Sequence, residues 1–318
     1  MTDCKERQQM LMITTYPPWS YSGSRAGIFD ECLRKYYYHY YGSHNGWKIE
    51  TADPDQVQTY RLKQLSNLYL VFGNLAHQMC ESVIRSWERD RKAPESAFLH
   101  QKMRELLNQA YKESQDVTGW HLRPKYQTML SEIYYDEDDK LGERISSIKS
   151  RMQTVVEQLY HTRTWKEVES GAAHIMEIEK WDHMILHDTR VYVKMDVLYR
   201  NEQGHIVIVD WKTGKENDFT DQLYLYALYV HEHYNVPYEH IEMRVEYLLT
   251  GECETYQATQ QDIDEVSAST LRYIEEMKSC LADDYYNRPK DISFFTPMPS
   301  RRVCGECNFR EICSSRAV

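Results

Sequence analysis

The chain has 318 residues, of which 42% are hydrophobic, enough to bury a core and to exclude a disordered polymer. A formal charge of -11 excludes a surface coated in basic side chains for wrapping duplex DNA, because phosphate binding works through Lys and Arg displacing counterions; a local basic groove stays compatible with it. No apolar run of about 18 residues occurs, and the first 20 residues lack an apolar leader core and a small-residue cleavage site, so the expectation is a cytoplasmic protein with no membrane span.

In chain order, apolar and aromatic residues at helical spacing predict a helix over residues 27–41, stopped at Gly42, and a second, long helix over residues 59–91 on which His77 and Glu81 share a face. Residues 95–167 continue in helical pattern, with the acidic stretch 136–139 read as a loop. Near Gly171 the pattern changes to the alternation of strands. The runs HIMEIEKW, RVYVKMDVLYR and HIVIVDWKTG predict an antiparallel meander, with a polar turn at residues 201–204 joining the last two. A helix over residues 219–233, a strand in IEMRVEYLLTG and a helix over residues 261–284 follow, and then extended chain carrying Pro289, Pro297 and Pro299. The expected fold class is α/β, a small mixed sheet flanked by helices. The expected organisation is an N-terminal helical part (1–84), a helical insertion that covers or narrows a DNA path (85–170), a core (171–290) and a cysteine-bearing tail (291–318).

Chemistry concentrates in the strands. Asp196 lies inside the apolar run VYVKMDVLY, where an unpaired carboxylate is costly and calls for a partner or a metal. Fourteen positions later Asp210 is followed by Trp211 and Lys212, and strand alternation sends Asp210 and Lys212 to one side of the sheet. An isolated Asp-x-Lys is usually a solvated strand end. Two carboxylates converging with an ammonium are a different matter: they suit Mg²⁺ or Mn²⁺, and Lys212 can orient or deprotonate a water or stabilise charge on a phosphate.

These residues resemble a known pattern. VKMDVLYR, HIVIVDWKTGK and DQLYLYALY, with Gly73-x-x-x-His77 upstream, resemble the core of the RecB-like branch of the PD-(D/E)XK nucleases. The resemblance implies that Asp196, Asp210 and His77 bind metal, that Lys212 is the catalytic lysine, and that Gln222 and Tyr226 contact DNA or hold the active-site strand. It adds Glu177 or Glu179 as a further acidic group. The pattern departs at Val193 and Lys194, where the family usually carries glycine. The implied activity is hydrolysis of DNA, single-stranded or end-exposed, with exonuclease action favoured. No Gly-x-x-x-x-Gly-Lys-Ser/Thr motif is present, so a helicase would be a separate partner. The alternative function is a non-catalytic DNA-binding scaffold within a CRISPR-adaptation or recombination complex.

The tail places Cys304, Cys307 and Cys313 within ten residues, and two thiolates three positions apart can clasp one metal centre. A fourth ligand must come from afar, and Cys32 is the candidate; zinc and iron-sulfur are both open on spacing. The arrangement also resembles that of iron-sulfur nucleases, the CRISPR-associated RecB-like exonucleases and AddB-type domains. That resemblance implies a structural [4Fe-4S] cluster on Cys32, Cys304, Cys307 and Cys313, with Leu33 standing where proline often follows the first cysteine. Cys4, Cys80, Cys253 and Cys280 lack metal spacing and read as incidental or buried thiols. Arg34, Lys35 and Tyr36 to Tyr38 mix cationic and aromatic groups, which is either a stacking surface for single strands or ordinary packing.

Overall fold

A computed structural model describes residues 16–214 and 220–317. The expectations resting on Cys4, on residues 1–15 and on Phe219 lie outside the described residues. Along the chain the strands are β1 (Ser20–Tyr21), β2 (Ala173–Leu186), β3 (Thr189–Asn201), β4 (Ile206–Lys212), β5 (Ile241–Tyr247), β6 (Cys253–Gln257), β7 (Leu281–Asp283) and β8 (Arg288–Pro289). The helices are α1 (Gly23–Glu31), α2 (Leu33–Tyr37), α3 (Pro54–Lys63), α4 (Leu68–Asp90), α5 (Ser96–Glu113), α6 (Val117–Leu122), α7 (Ser131–Tyr134), α8 (Asp138–Leu159), α9 (Arg163–Ser170), α10 (Thr220–Tyr234), α11 (Gln260–Lys278) and α12 (Arg301–Gly305). No helix among the described residues is long and apolar enough to cross a membrane.

Two expected helices are interrupted. The predicted helix over residues 27–41 stops at Cys32, whose backbone is extended; α2 then restarts and widens into one π-helical turn, Tyr38–Gly42. The long helix expected over residues 59–91 is two. Asp53 caps α3 and Pro54 opens it, whereas α4 starts afresh on Asn67, whose side chain accepts from the Leu70 N–H. Between them Ser66 bonds the backbone of Met129 and Ser131, a non-local pairing that helical periodicity does not encode. Smaller differences follow the same logic: Asp138 and Asp139 form the first turn of α8 rather than a loop, and α11 ends at Lys278 rather than near residue 284.

The chain divides into two compact units. The larger comprises Ser66–His183 and Val193–Ser267. In it β3 and β4 pair antiparallel through the turn at residues 201–204, where Gly204 takes a left-handed φ of 84°. β4 pairs parallel with β5 through the crossover helix α10, and β5 pairs antiparallel with β6, so the sheet is mixed. One face of β3 and β4, through Val197, Tyr199, Val207, Val209 and Trp211, packs into a core with α4, α5, α8 and α9. The smaller unit comprises Met1–Leu65, Met184–Tyr192 and Ala268–Val318, so among the described residues segments from the N-terminal and C-terminal parts of the sequence share one body. There β1 pairs parallel with Arg190 and Val191 of β3, and β7 with β8.

Candidate active site

The β3–β4 register sets Val197 opposite Val209; one step further along the same ladder brings Asp196 opposite Asp210. Both carboxylates are buried. Alternation then separates neighbours: Trp211 turns into the core while Asp210 and Lys212 share the other face, Lys212 Nζ lying 2.6 Å from Asp210 Oδ2. The Trp211 N–H donates to Asp196 Oδ2 at 2.6 Å, tying the first aspartate to the strand that carries the second.

His77 comes from α4, with Nδ1 3.1 Å from Asp196 Oδ1 and 3.4 Å from Glu179 Oε1. Gly73, one turn earlier, faces the end of β4: a Cβ there would sit 3.4 Å from Thr213 Oγ1, an ordinary van der Waals contact. His77, Glu179 and Asp196 offer ligand atoms all within 4.8 Å of one another. Glu179, not Glu177, is the acidic group from β2. Its φ of 52° is left-handed, strained for a non-glycine residue, and it breaks alternation so that Glu177 and Ile178 are both buried. Glu177 instead pairs with Lys180 and Tyr234. Glu179 also pairs with Lys194, the residue that stands where the family pattern has glycine.

Electrostatics follow from this crowding. Burial, then the charge of Asp196, pushes the Asp210 carboxyl up to about 6 against the opposing pull of Lys212. Burial alone would disfavour the His77 imidazolium, but Asp196 and Glu179 outweigh it and raise His77 to about 10. Burial likewise raises Glu179, yet His77 and Lys194 hold it below the usual range. Glu179 Oε1 and Asp210 Oδ2 are buried without a hydrogen bond, the nearby nitrogens of His77 and Lys212 lying off hydrogen-bond geometry. Buried carboxylate oxygens with spare lone pairs beside an imidazole are the donor set of a hard divalent cation, so the residues fit one.

Gln222 and Tyr226 lie one turn apart on α10. Gln222 donates to the Tyr226 hydroxyl, which donates to the Lys194 carbonyl at 2.6 Å; they buttress β3 two residues before Asp196. Sequence reading missed the support behind β4. Trp211 Nε1 donates to Glu246 Oε2 at 3.0 Å, and fully buried Arg244 binds Glu242, Glu167 and the Tyr199 hydroxyl. The available signal was two charges, Arg244 and Glu246, inside the apolar strand IEMRVEYLL.

The profile of the PD-(D/E)XK nuclease superfamily matches residues 20–314, nearly the whole chain. The chain belongs to the PD-(D/E)XK nuclease superfamily. No curated protein matches it. Among solved structures, one described as "Crystal structure of SSO0001" is similar over 55% of this chain and 82% of that one, at 13% identity and a TM-score of 0.26. The mixed sheet with flanking helices is the PD-(D/E)XK architecture, and superfamily membership points to metal-dependent nucleolytic chemistry.

In this PD-(D/E)XK chain the smaller unit holds a second constellation. Cys32, Cys304, Cys307 and Cys313 line one small cavity. The backbone N–H groups of Met298 and Ala317 point at the sulfurs of Cys32 and Cys304, each at 3.4 Å. Burial pushes the Cys307 thiol up to about 11, with Cys32 and Cys313 adding to it. Among the described residues no three of these sulfurs gather within 4.8 Å; a single tetrahedral zinc, with Zn–S of about 2.3 Å, would hold them about 3.8 Å apart. Cys80 and Cys280 are buried, and Cys253 is exposed at the start of β6. Arg34 donates to the Phe295 carbonyl, Lys35 pairs with Glu31, and Tyr36 and Tyr38 are buried, so this segment packs rather than presenting a stacking surface.

Proposed function

We propose that the protein hydrolyses DNA phosphodiester bonds with Mg²⁺ or Mn²⁺ held by His77, Glu179, Asp196 and Asp210. The observation that carries this is the gathering of the His77 imidazole, the buried Asp196 carboxylate and the half-buried Glu179 carboxylate within 4.8 Å, beside strands that bring Asp210 and Lys212 to one face. The cation would supply Lewis acidity to the phosphodiester. Lys212, kept in place by Asp210, meets the negative charge that builds on the phosphate; Asp196, fixed by the Trp211 N–H, and Glu179, fixed by Lys194, do not reorganise as that happens. Single-stranded or end-exposed DNA and exonucleolytic action are favoured by the resemblance to the RecB-like branch, with any helicase or CRISPR-adaptation protein a separate partner.

A structural [4Fe-4S] cluster on Cys32, Cys304, Cys307 and Cys313 belongs to the same reading. It is supported by one cavity that all four cysteines line, with thiols contributed from both ends of the chain. Such a link closes a long loop and lowers the entropy of the unfolded chain. Labelled single- and double-stranded DNA incubated with Mn²⁺, beside Lys212→Ala and a chelated control, tests the activity; equal cleavage by wild type and variant, or none by either, overturns it. Visible absorption with stoichiometric iron and acid-labile sulfide tests the cluster, and colourless protein with one zinc per chain refutes it.

A further inference from the structure

Arg25, at the start of α1, sits in a row of alternating cations and rings. Its guanidinium carbon lies 4.4 Å from the ring centre of Tyr40 and 4.6 Å from that of Trp19. Lys63 Nζ lies 5.7 Å from the Tyr40 ring, and Lys278 Nζ lies 5.4 Å from the Trp19 ring. All five residues belong to the smaller unit. Arg25 is buried, and its donors go to neutral oxygens, the hydroxyls of Tyr36 and Tyr41 and the Ser20 carbonyl. Among the described residues none of the three cations has a carboxylate partner. In a chain with eleven more acidic than basic side chains, three cations gathered without a counter-ion form a local excess that calls for an anion.

Neighbouring groups register the same field. Burial, then Arg25, lowers Lys63 to about 8. Burial, then Lys63, Lys35 and Arg25, lowers His39 to about 3, with no acidic group opposing them. Trp19 Nε1 is a buried donor with no partner among the described residues.

We propose that this row is a binding track for the phosphodiester backbone of a nucleic-acid strand, with Lys63 and Lys278 each receiving a phosphate. The two lysines stand over different rings with Arg25 between those rings, an arrangement for successive phosphates rather than for one compact anion. Aromatic rings against the cations keep the charges in fixed positions while excluding water from one side, which strengthens their attraction for phosphate. The choice of a nucleic-acid strand as occupant rests on the nuclease reading; the need for an anion does not.

The test uses the full chain in Ca²⁺, a fluorescein-labelled oligo(dT), and binding measured by anisotropy across a salt series. Loss of two phosphate contacts in Lys63→Gln/Lys278→Gln is expected to weaken binding about tenfold and to flatten the log–log salt slope by about 1.4, and Lys63→Arg/Lys278→Arg is expected to restore it. A folding role alone leaves that slope unmoved, so an unchanged slope in a variant with wild-type circular dichroism overturns the track. Acylation of Lys63 supplies an independent reading: protection by oligo(dT) supports it, and protection by inorganic phosphate but not by oligo(dT) refutes it. Wild-type protein that binds with this salt dependence but cleaves no DNA leaves the track standing and sinks the nuclease reading alone.

Discussion

The two units differ in how their charges are partnered. In the larger one, carboxylates from β2, β3 and β4 crowd around one imidazole and leave two buried oxygens without a hydrogen bond. In the smaller one, Arg25, Lys63 and Lys278 line up on rings with no carboxylate partner. In the larger unit each carboxylate has a cationic neighbour in His77, Lys194 or Lys212, and what is left over is lone pairs on buried oxygens; in the smaller unit the cations face rings and neutral oxygens instead. Each imbalance names the sign of what it receives: a cation on the acidic cluster, an anion on the basic row.

The acidic side should break most sharply at Lys212. Lys212→Ala is expected to lower kcat about 10²–10³-fold, the usual consequence of removing one group that stabilises transition-state charge, while circular dichroism stays that of wild type. A drop smaller than tenfold would move the catalytic cation elsewhere. Next comes the imidazole. His77→Ala should raise the Mn²⁺ concentration for half-maximal cleavage by at least the roughly 10–100-fold that loss of an outer-shell partner costs, with the rate at saturating Mn²⁺ changing less. An unmoved Mn²⁺ dependence would make His77 a structural partner of Asp196.

How much of this was readable in advance depends on whether the signal is local. The β3–β4 hairpin follows from alternation and from the turn at residues 201–204, and with it the pairing of Asp196 and Asp210. The gap of four between Gly73 and His77 follows from helical geometry. The choice between Glu177 and Glu179 does not: it depends on a left-handed Glu179 that shifts the face of the strand, and nothing in HIMEIEKW announces one. The break at Cys32 is equally silent, because Leu33 is a competent helix former where the related pattern has proline. Arg244 and Glu246 look like solvated charges until β5 is known to lie between β4 and β6.

On the basic side the comparison sharpens with pH. His39 is held at about 3 by burial and by Lys63, Lys35 and Arg25, against an ordinary value of 6.5. The fold therefore favours neutral imidazole; this contribution is complete above pH 6.5 and is lost as pH falls towards 3, the loss having reached about 2 kcal/mol at pH 5. Thermal melts of wild type and His39→Gln should converge between pH 7.5 and 5, because the variant lacks this loss. Parallel melting curves across that range would show that burial and the neighbouring cations do not hold His39 below its ordinary value.

The smallest expected effect separates two roles for α10. Tyr226 donates to the Lys194 carbonyl and accepts from Gln222, and Lys194 in turn holds Glu179. If this chain is a buttress, Tyr226→Phe removes one hydrogen bond from the backbone of β3 and costs about 1 kcal/mol of stability, with kcat falling a few-fold through a looser Glu179 and KM for DNA unmoved. Gln222→Ala should cost less, because the bond from Tyr226 to Lys194 survives it. The opposite pattern, a raised KM with an unchanged melting temperature, assigns the Tyr226 hydroxyl to the substrate and leaves Lys194 to hold Glu179 without it.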